Sequence, residues 1–435
     1  MRTNAMVAGM TLLLASATAG AVPKIEQWTM ANGTRVYFVR ATELPLVQLR
    51  AVFDAAGSRD PADKSGLARM TNTMLAQGAA DLDVNQIAAG FENLGAEFGA
   101  SSERDMTIVE LRSLSDAGLL DPALDLFAKV VGKPTFPVDA LERERAKALV
   151  ALQLDLQSPG AIAQKAFMRA LYGDHPYAND PAGTAESLGK ITRGDLVNHH
   201  KRYYTGATAW LAIVGNATTA DAKAIAERAL GRLPRGEAAP PLPAVKPLTK
   251  ASREVIAFPA QQSHVLIGQP AIARDDPDYF PLIVGNYSLG GGGLVSRLSD
   301  EIREKRGYSY SVYSFFQPTR VAGPFTLGLQ TRNAQRDKAI AVAEEVLGDY
   351  VKNGPTAQEL EAAKRNLTGG FPLRLDSNKK LAENLAFIGF YGLPLTYFDD
   401  FVARVDAVTI EQIRAAFKRH IHPNREATVV VGGTS

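Results

Sequence analysis

The feature that most constrains this chain is that it is written twice. Displaced by 217 residues, Lys201-Arg202 falls on Lys418-Arg419, Val214-Gly215 on Val431-Gly432, Ala146-Lys147 on Ala363-Lys364, and Glu142 on Glu359. Tyr172-Gly173 meets Tyr391-Gly392 two residues out of step. Each match is weak alone, but a shared offset and order is what duplication of a structural unit leaves behind. Both copies end alike. A helical stretch (Asp195 to Tyr203; Ile410 to Phe417) leads into an apolar strand (Ala209 to Val214; Ala427 to Val431).

Between the copies, Leu233 to Lys250 carries Pro234, Pro240, Pro241, Pro243 and Pro247. Proline removes a backbone donor and fixes φ, so this stretch is expected to be a linker without helix or ladder. Elsewhere two periodicities alternate. Val36 to Val39 and Val47 to Phe53 read as a pair of strands, and Met106 to Leu111 as a half-buried one. Ser65 to Leu75 and Val84 to Leu94 carry apolar residues at helical spacing. The expected fold is α+β, with two tandem homologous domains, each a mixed sheet flanked by helices. The expected boundaries are 22–232 and 251–435, with 233–250 as linker.

Residues 1–21 have the three parts of a secretory signal. Arg2 gives the positive start, Met6 to Ala15 the apolar run, and Ala19-Gly20-Ala21 a small-residue cleavage site. The run is too short for a permanent membrane anchor. The chain is therefore expected in the periplasm, or secreted. With 48 basic and 46 acidic residues, it lacks the concentrated basic field that nucleic acid requires. There is no cysteine, which excludes disulfides and thiolate metal sites.

Chemistry is sparse. Gly290 to Gly293 lacks the Lys-Ser/Thr of a phosphate loop and reads as a flexible turn before a helix. No nucleophile elbow occurs. The six histidines include no pair four apart on a helix; His420-x-His422 is the one suggestive spacing, and His199-His200 reads as packing or surface.

The run Ala56-Gly57-Ser58-Arg59-Asp60-Pro61 through Ser65-Gly66-Leu67-Ala68 resembles the inverted zinc-motif peptidases, the family of pitrilysin, insulinase and mitochondrial processing peptidase. In active members the segment continues into His-x-x-Glu-His, where two imidazoles one turn apart hold zinc and the glutamate activates its water. The matching positions here are Arg69, Asn72 and Thr73, and the glutamate that completes such sites falls near Ala151, while Glu144 survives. The family's Asn-Ala strand element stands here as Gly99-Ala100. The resemblance thus implies the fold while removing the metal site, and no cofactor is expected in this chain.

The second copy keeps more. Gly290 through Leu298 leads to Ile302-Arg303-Glu304-Lys305-Arg306-Gly307-Tyr308-Ser309-Tyr310-Ser311-Val312, which is similar to the family's substrate-gripping Arg/Tyr segment. Leu294, Leu298 and Ile302 lie four apart and should share a buried helix face. Gly307 can end that helix in the left-handed conformation, bringing Arg303 and Tyr310 together. The resemblance assigns substrate binding to Arg303, Tyr310 and Tyr308, which shares the expected strand face, and catalysis in trans to Arg303 and Tyr310. A guanidinium can fork onto a peptide carbonyl or carboxylate, and a phenol can donate to a developing oxyanion. Arg297 and Arg306 read as surface or packing residues. The implied partner is a homologous subunit that carries the zinc, with peptides as substrates. A structural or peptide-binding role without catalysis is the alternative.

Edman or mass-spectrometric analysis of the mature protein from its native host is expected to place the N-terminus after Ala21 or after Ala19. An intact Met1 on a cytoplasmic protein would refute export.

Overall fold

The computed structural model describes residues 24–433; the signal-like segment 1–21 lies outside them. The first repeat contributes β1 (Glu26–Thr29), β2 (Arg35–Arg40), β3 (Leu46–Phe53), a two-residue hairpin β4 (Gly78–Ala79) and β5 (Leu82–Asp83), then β6 (Glu97–Ser102), β7 (Thr107–Leu114) and β8 (Ala209–Gly215). The second contributes β9 (Ser252–Ile256), β10 (Gln262–Ile272), β11 (Ser309–Phe316), β12 (Gly323–Arg332) and β13 (Ala427–Val431). The two main sheets run β1-β2-β8-β3-β7-β6 and β9-β13-β10-β12-β11.

Apart from β1, the sheets correspond strand for strand. β8 lies parallel to β2 and antiparallel to β3, and β13 holds the same place between β9 and β10. The two apolar strands that end the sequence repeats therefore sit in equivalent positions, buried throughout. The α+β fold with two mixed sheets and flanking helices is as the sequence implies. One detail differs: β2 and β3 are not partners, because β8 arrives from far along the chain and separates them.

Each repeat lends a helix to the other. The helix Pro159–Tyr172 of the first repeat packs on β10 and β13 of the second, placing Ala163, Ala166 and Phe167 in one buried cluster with Leu266, Val429 and Val431. The helix Asn378–Tyr391 packs back on β2, β3 and β8, burying Leu381, Leu385 and Ile388 against Tyr37, Val52 and Trp210. Both helices start on a serine cap. Ser158 Oγ accepts from Ala161 N and Ser377 Oγ from Lys380 N, each at 3.3 Å. Both end on a glycine with positive φ, Gly173 at 53° and Gly392 at 66°. The opposite face of the first sheet, with Phe38, Leu49, Phe53 and Ile213, is covered by helices of its own repeat.

The proline-rich segment has no helix or strand, as its composition dictates, yet it is fastened as a strap. Pro240 O accepts from Arg59 Nη1 at 2.6 Å, Pro243 O lies 3.0 Å from His175 Nε2, and Leu242, Val245 and Leu248 pack against the exchanged helix Pro159–Tyr172.

Gly389 marks how closely the second exchanged helix approaches its foreign sheet. A Cβ there would lie 2.6 Å from Cε2 of Tyr37 and 3.0 Å from Cδ1 of Trp210. Within the helix Arg336–Asn353, Gly348 has nothing within 4 Å of such a Cβ. Gly348→Ala is expected to stabilise by roughly 0.5–1 kcal/mol through helix propensity. Gly389→Ala carries the same propensity gain but is expected to be net destabilising, because overpacking costs about 1–3 kcal/mol. Urea melts of the two variants should therefore shift in opposite directions, and a stabilised Gly389→Ala would contradict the tight interface.

Candidate functional site

The helix Leu67–Met74 carries Arg69, Asn72 and Thr73, the residues that the resemblance aligns with the zinc motif. Asp60 caps it, accepting from Gly66 N and Ala68 N at 2.8 Å each. Leu67, Met70 and Met74 face the core, while Arg69 and Thr73, one turn apart, are exposed. Asn72 is only 2% exposed, and its amide is fully used. Nδ2 donates to Ser101 O at 2.7 Å and to Ile108 O at 3.3 Å, and Oδ1 accepts from the Tyr204 hydroxyl at 3.2 Å. Burial pushes the Tyr204 pKa up, which keeps that hydroxyl a donor. The position that would hold a catalytic carboxylate instead staples the helix to the β6–β7 hairpin.

The donor set does not fit zinc. Arg69 offers a cation, Thr73 a hydroxyl, Asn72 an amide already engaged, and Ala151, exposed on the helix Val138–Asp155, a methyl. Imidazoles and carboxylates are what zinc requires here. Glu144, two turns before Ala151, is buried and paired with Lys147 at 2.8 Å. Gly99-Ala100 lie on β6, the outer edge of the first sheet.

His199 and His200 are packing residues, bonded to Ala55 O at 2.9 Å and Val131 O at 2.8 Å. Burial lowers the His199 pKa to about 4, so it stays neutral. His420 meets Asp278 at 2.8 Å and Asp276 at 3.7 Å, without His422. Arg419 already holds Asp278 through two bonds, at 2.7 and 3.1 Å, so this group ties a helix end to the start of the helix Tyr279–Asn286.

The Arg/Tyr segment is built differently from a plain helix. Tyr287–Gly291 and Ser299–Glu304 are wide, π-helical turns joined through Gly293–Val295, where Gly293 has φ 64°. The break corrects one expectation. Leu298 and Ile302 are buried, but Leu294 is 61% exposed, because the helical phase is lost between them. Nor is Gly290 part of a loose turn. It is buried, and a Cβ on it would come 2.5 Å from Ser314 N of β11, which bonds reciprocally with Asn286. Glycine is needed there for close approach of backbone to backbone.

At Gly307, φ is 61° and the chain reverses, with Gly307 N donating to Arg303 O and Tyr308 N to Ile302 O, both at 2.9 Å. Arg303 is thereby brought over the Tyr310 ring, with Cζ 4.6 Å from the centroid. Tyr310 is 81% exposed and sits at a bulge, where the β11–β12 register shifts between Ser309 and Ser311. The bulge breaks the alternation that would have put Tyr308 beside it. Tyr308 precedes the strand, and its side chain is half-buried against the core. The neighbouring arginines are committed elsewhere. Arg297 makes two 2.7 Å bonds to Glu359, and Arg306 pairs with Glu301. The carboxylate near Arg303 is that of its exposed sequence neighbour Glu304, at 3.3 Å. β11, like β6, is the outer strand of its sheet.

This chain belongs to the M16 peptidase family. Residues 45–185 match the insulinase (peptidase family M16) model, and residues 190–367 the peptidase M16 inactive domain model. The chain is 30% identical over 418 residues to an uncharacterized zinc protease of Mycobacterium leprae, covering 92% of this chain and 90% of that one. It is 25% identical to a non-peptidase homolog of Helicobacter pylori, covering 88% of each. Among solved structures, a peptidase M16 inactive domain from Pseudomonas fluorescens matches at 42% identity with a TM-score of 0.91, over 94% of this chain and 98% of that one. The periplasmic protease PqqL of Escherichia coli shares the fold at 18% identity with a TM-score of 0.79, and this chain spans 49% of its length.

The amide at position 72 is testable. Asn72→Asp is isosteric, but it places an acceptor against the carbonyls of Ser101 and Ile108. A loss of about 2–4 kcal/mol in chemical denaturation is expected, from unpaired buried acceptors and a buried charge. A neutral effect would mean that the staple contributes little.

Proposed function

We propose that this chain is the zinc-free, substrate-gripping subunit of an exported heterodimeric metallopeptidase. Its partner is a homologous chain carrying the His-x-x-Glu-His motif and the zinc. The observation that carries this reading is the contrast between the two repeats. The helix that the resemblance aligns with the zinc motif is stapled through the Asn72 amide, whereas Arg303 lies over the exposed Tyr310 ring at a sheet edge. A half-buried arginine over an exposed phenol at the open edge of a sheet suits a peptide held through its backbone, where the added strand binds and the side chains address its carbonyls.

In the complex, Arg303 positions the substrate backbone. The Tyr310 hydroxyl donates to the carbonyl oxygen as it gains charge, while the hydrolytic chemistry belongs to the partner. Size selection follows from enclosure between the two halves. Among the described residues no helix is long and apolar enough to cross a membrane. Together with the N-terminal signal pattern, this supports a protein working free in the periplasm or outside the cell.

The alternative is a non-catalytic peptide-binding or structural protein of the same fold, in line with the non-peptidase homolog among its relatives. The two readings part in a reconstitution assay. The chain is mixed with a zinc-bearing homologue encoded beside it, and complex formation and peptide turnover are read together. Arg303→Ala and Tyr310→Phe should leave assembly intact and depress turnover. Tyr310→Phe should lower kcat by about 10²–10³ if the hydroxyl meets the oxyanion, or raise KM alone if it holds ground-state substrate. Lys305→Ala is the control. Normal turnover by both variants in an intact complex would leave the structural reading standing.

A further inference from the structure

Each sheet ends in an edge hairpin, β6–β7 in the first repeat and β11–β12 in the second, and their turns meet at one carboxylate. Asp105, in the β6–β7 turn, is 3% exposed. Its oxygens accept from the Tyr177 hydroxyl at 2.7 and 2.9 Å, from the backbone N of Arg320 at 2.9 Å, and from the Tyr391 hydroxyl at 3.5 Å. These donors come from separate places. Arg320 lies in the β11–β12 turn, Tyr391 ends the exchanged helix Asn378–Tyr391, and Tyr177 follows the exchanged helix Pro159–Tyr172. Neighbouring bonds reinforce the junction. Tyr172 donates to Ala322 O at 3.1 Å, and Arg104 donates to Tyr177 O at 2.5 Å. The Arg320 guanidinium lies 4.2 Å from the Phe390 ring and 3.6 Å from Asp54.

The hydrogen-bond partners of Asp105 all donate to it, and a carboxylate is the side chain that accepts without donating. Asparagine would turn an N–H₂ toward one of them. Because the site is buried, the bonds act in a low dielectric, and a lost acceptor leaves donors stranded. The junction lies at the hairpin turns, the ends of the β6 and β11 edges, so a shift there is transmitted along stiff strands.

We infer that Asp105 is a positioning residue that locks the two edge hairpins together and so fixes the spacing and angle between the β6 edge and the β11 edge bearing Tyr310. This rests on the proposed peptide-gripping role only for its consequence; the lock itself is a property of the free chain.

The absence of cysteine makes the test direct. Spin labels at Ala100→Cys on β6 and Ser311→Cys on β11, both exposed positions, report the distance between the edges by pulsed electron resonance. The otherwise unchanged chain should give one narrow distribution. Asp105→Asn should broaden it, and Asp105→Leu should broaden it further or add a longer population, with circular dichroism verifying the fold. If Asp105→Leu does not fold, the Tyr177→Phe/Tyr391→Phe pair removes two donors and keeps the carboxylate. Broadening in that pair or in Asp105→Asn supports the lock. An unchanged distribution in the folded variants overturns it. Turnover with the zinc-bearing partner separates the two ideas. Broadened distances with undiminished turnover keep the lock and count against peptide gripping across both edges. A narrow distribution with lost turnover overturns the lock.

Discussion

The exchange of helices between the repeats is the interaction on which the rest of the structure depends. Tyr37, Val39, Val52, Trp210, Ala212 and Val214 form an apolar face on the first sheet that its own repeat does not cover. Leu266, Val429 and Val431 form the matching face on the second. Each is buried by a helix from the other copy, so neither repeat has a complete core alone. Burial stabilises by about 25 cal/mol per Å² of apolar surface, and a face left open would forfeit that and invite aggregation. The two halves therefore resemble one cooperative body rather than beads on a linker. The proline-rich strap, bonded to Arg59 and His175, fits that description better than a flexible spacer does.

Part of this was legible in the residues and part was not, for physical reasons. The repeat fixes that two like units exist, since helix caps and strand cores recur at near-constant offset; Thr192 and Thr409, 217 apart, cap equivalent helices with the same capping box. It does not say which copy a helix packs against, because Ser158 and Gly173 would bound the same helix wherever it docked. The separation of β2 from β3 is not legible in the sequence, because local residues carry no sign of β8, a partner from far along the chain. Leu294 kept helical spacing in the sequence but lost helical phase in space, since the chain leaves the helix at Ser296, whose backbone is extended at φ −85° and ψ 154°, before the next turn begins. Arg303 and Tyr310 were legible because a single chain reversal at Gly307 relates them.

Asn72 shows why the helix Leu67–Met74 is poorly suited to a metal site. An amide can donate twice and accept at once, and here it does all three, between the helix Leu67–Met74, the hairpin β6–β7 and Tyr204. A carboxylate can only accept, so the carbonyls of Ser101 and Ile108 would face a buried negative charge. The surroundings have become complementary to the amide. Placing imidazoles and carboxylates on this helix would therefore also require rebuilding the backbone contacts behind it.

The two sheet edges have diverged along the same line. In the first repeat, β6 presents Gly99-Ala100, small residues that leave the edge backbone open, and β6 stays in unbroken register with β7. In the second, β11 carries a bulge at Tyr310, and a bulge twists an edge and re-aims one side chain. It also discourages a long partner strand from pairing along the whole edge, one way proteins limit edge-to-edge association. The same departure from regularity that protects β11 swings Tyr310 out to meet Arg303. A straight β11 would alternate Tyr310 with Ser309 and Ser311 across the faces of the sheet, whereas the bulge leaves Tyr310 and Ser311 both exposed with Ser309 buried.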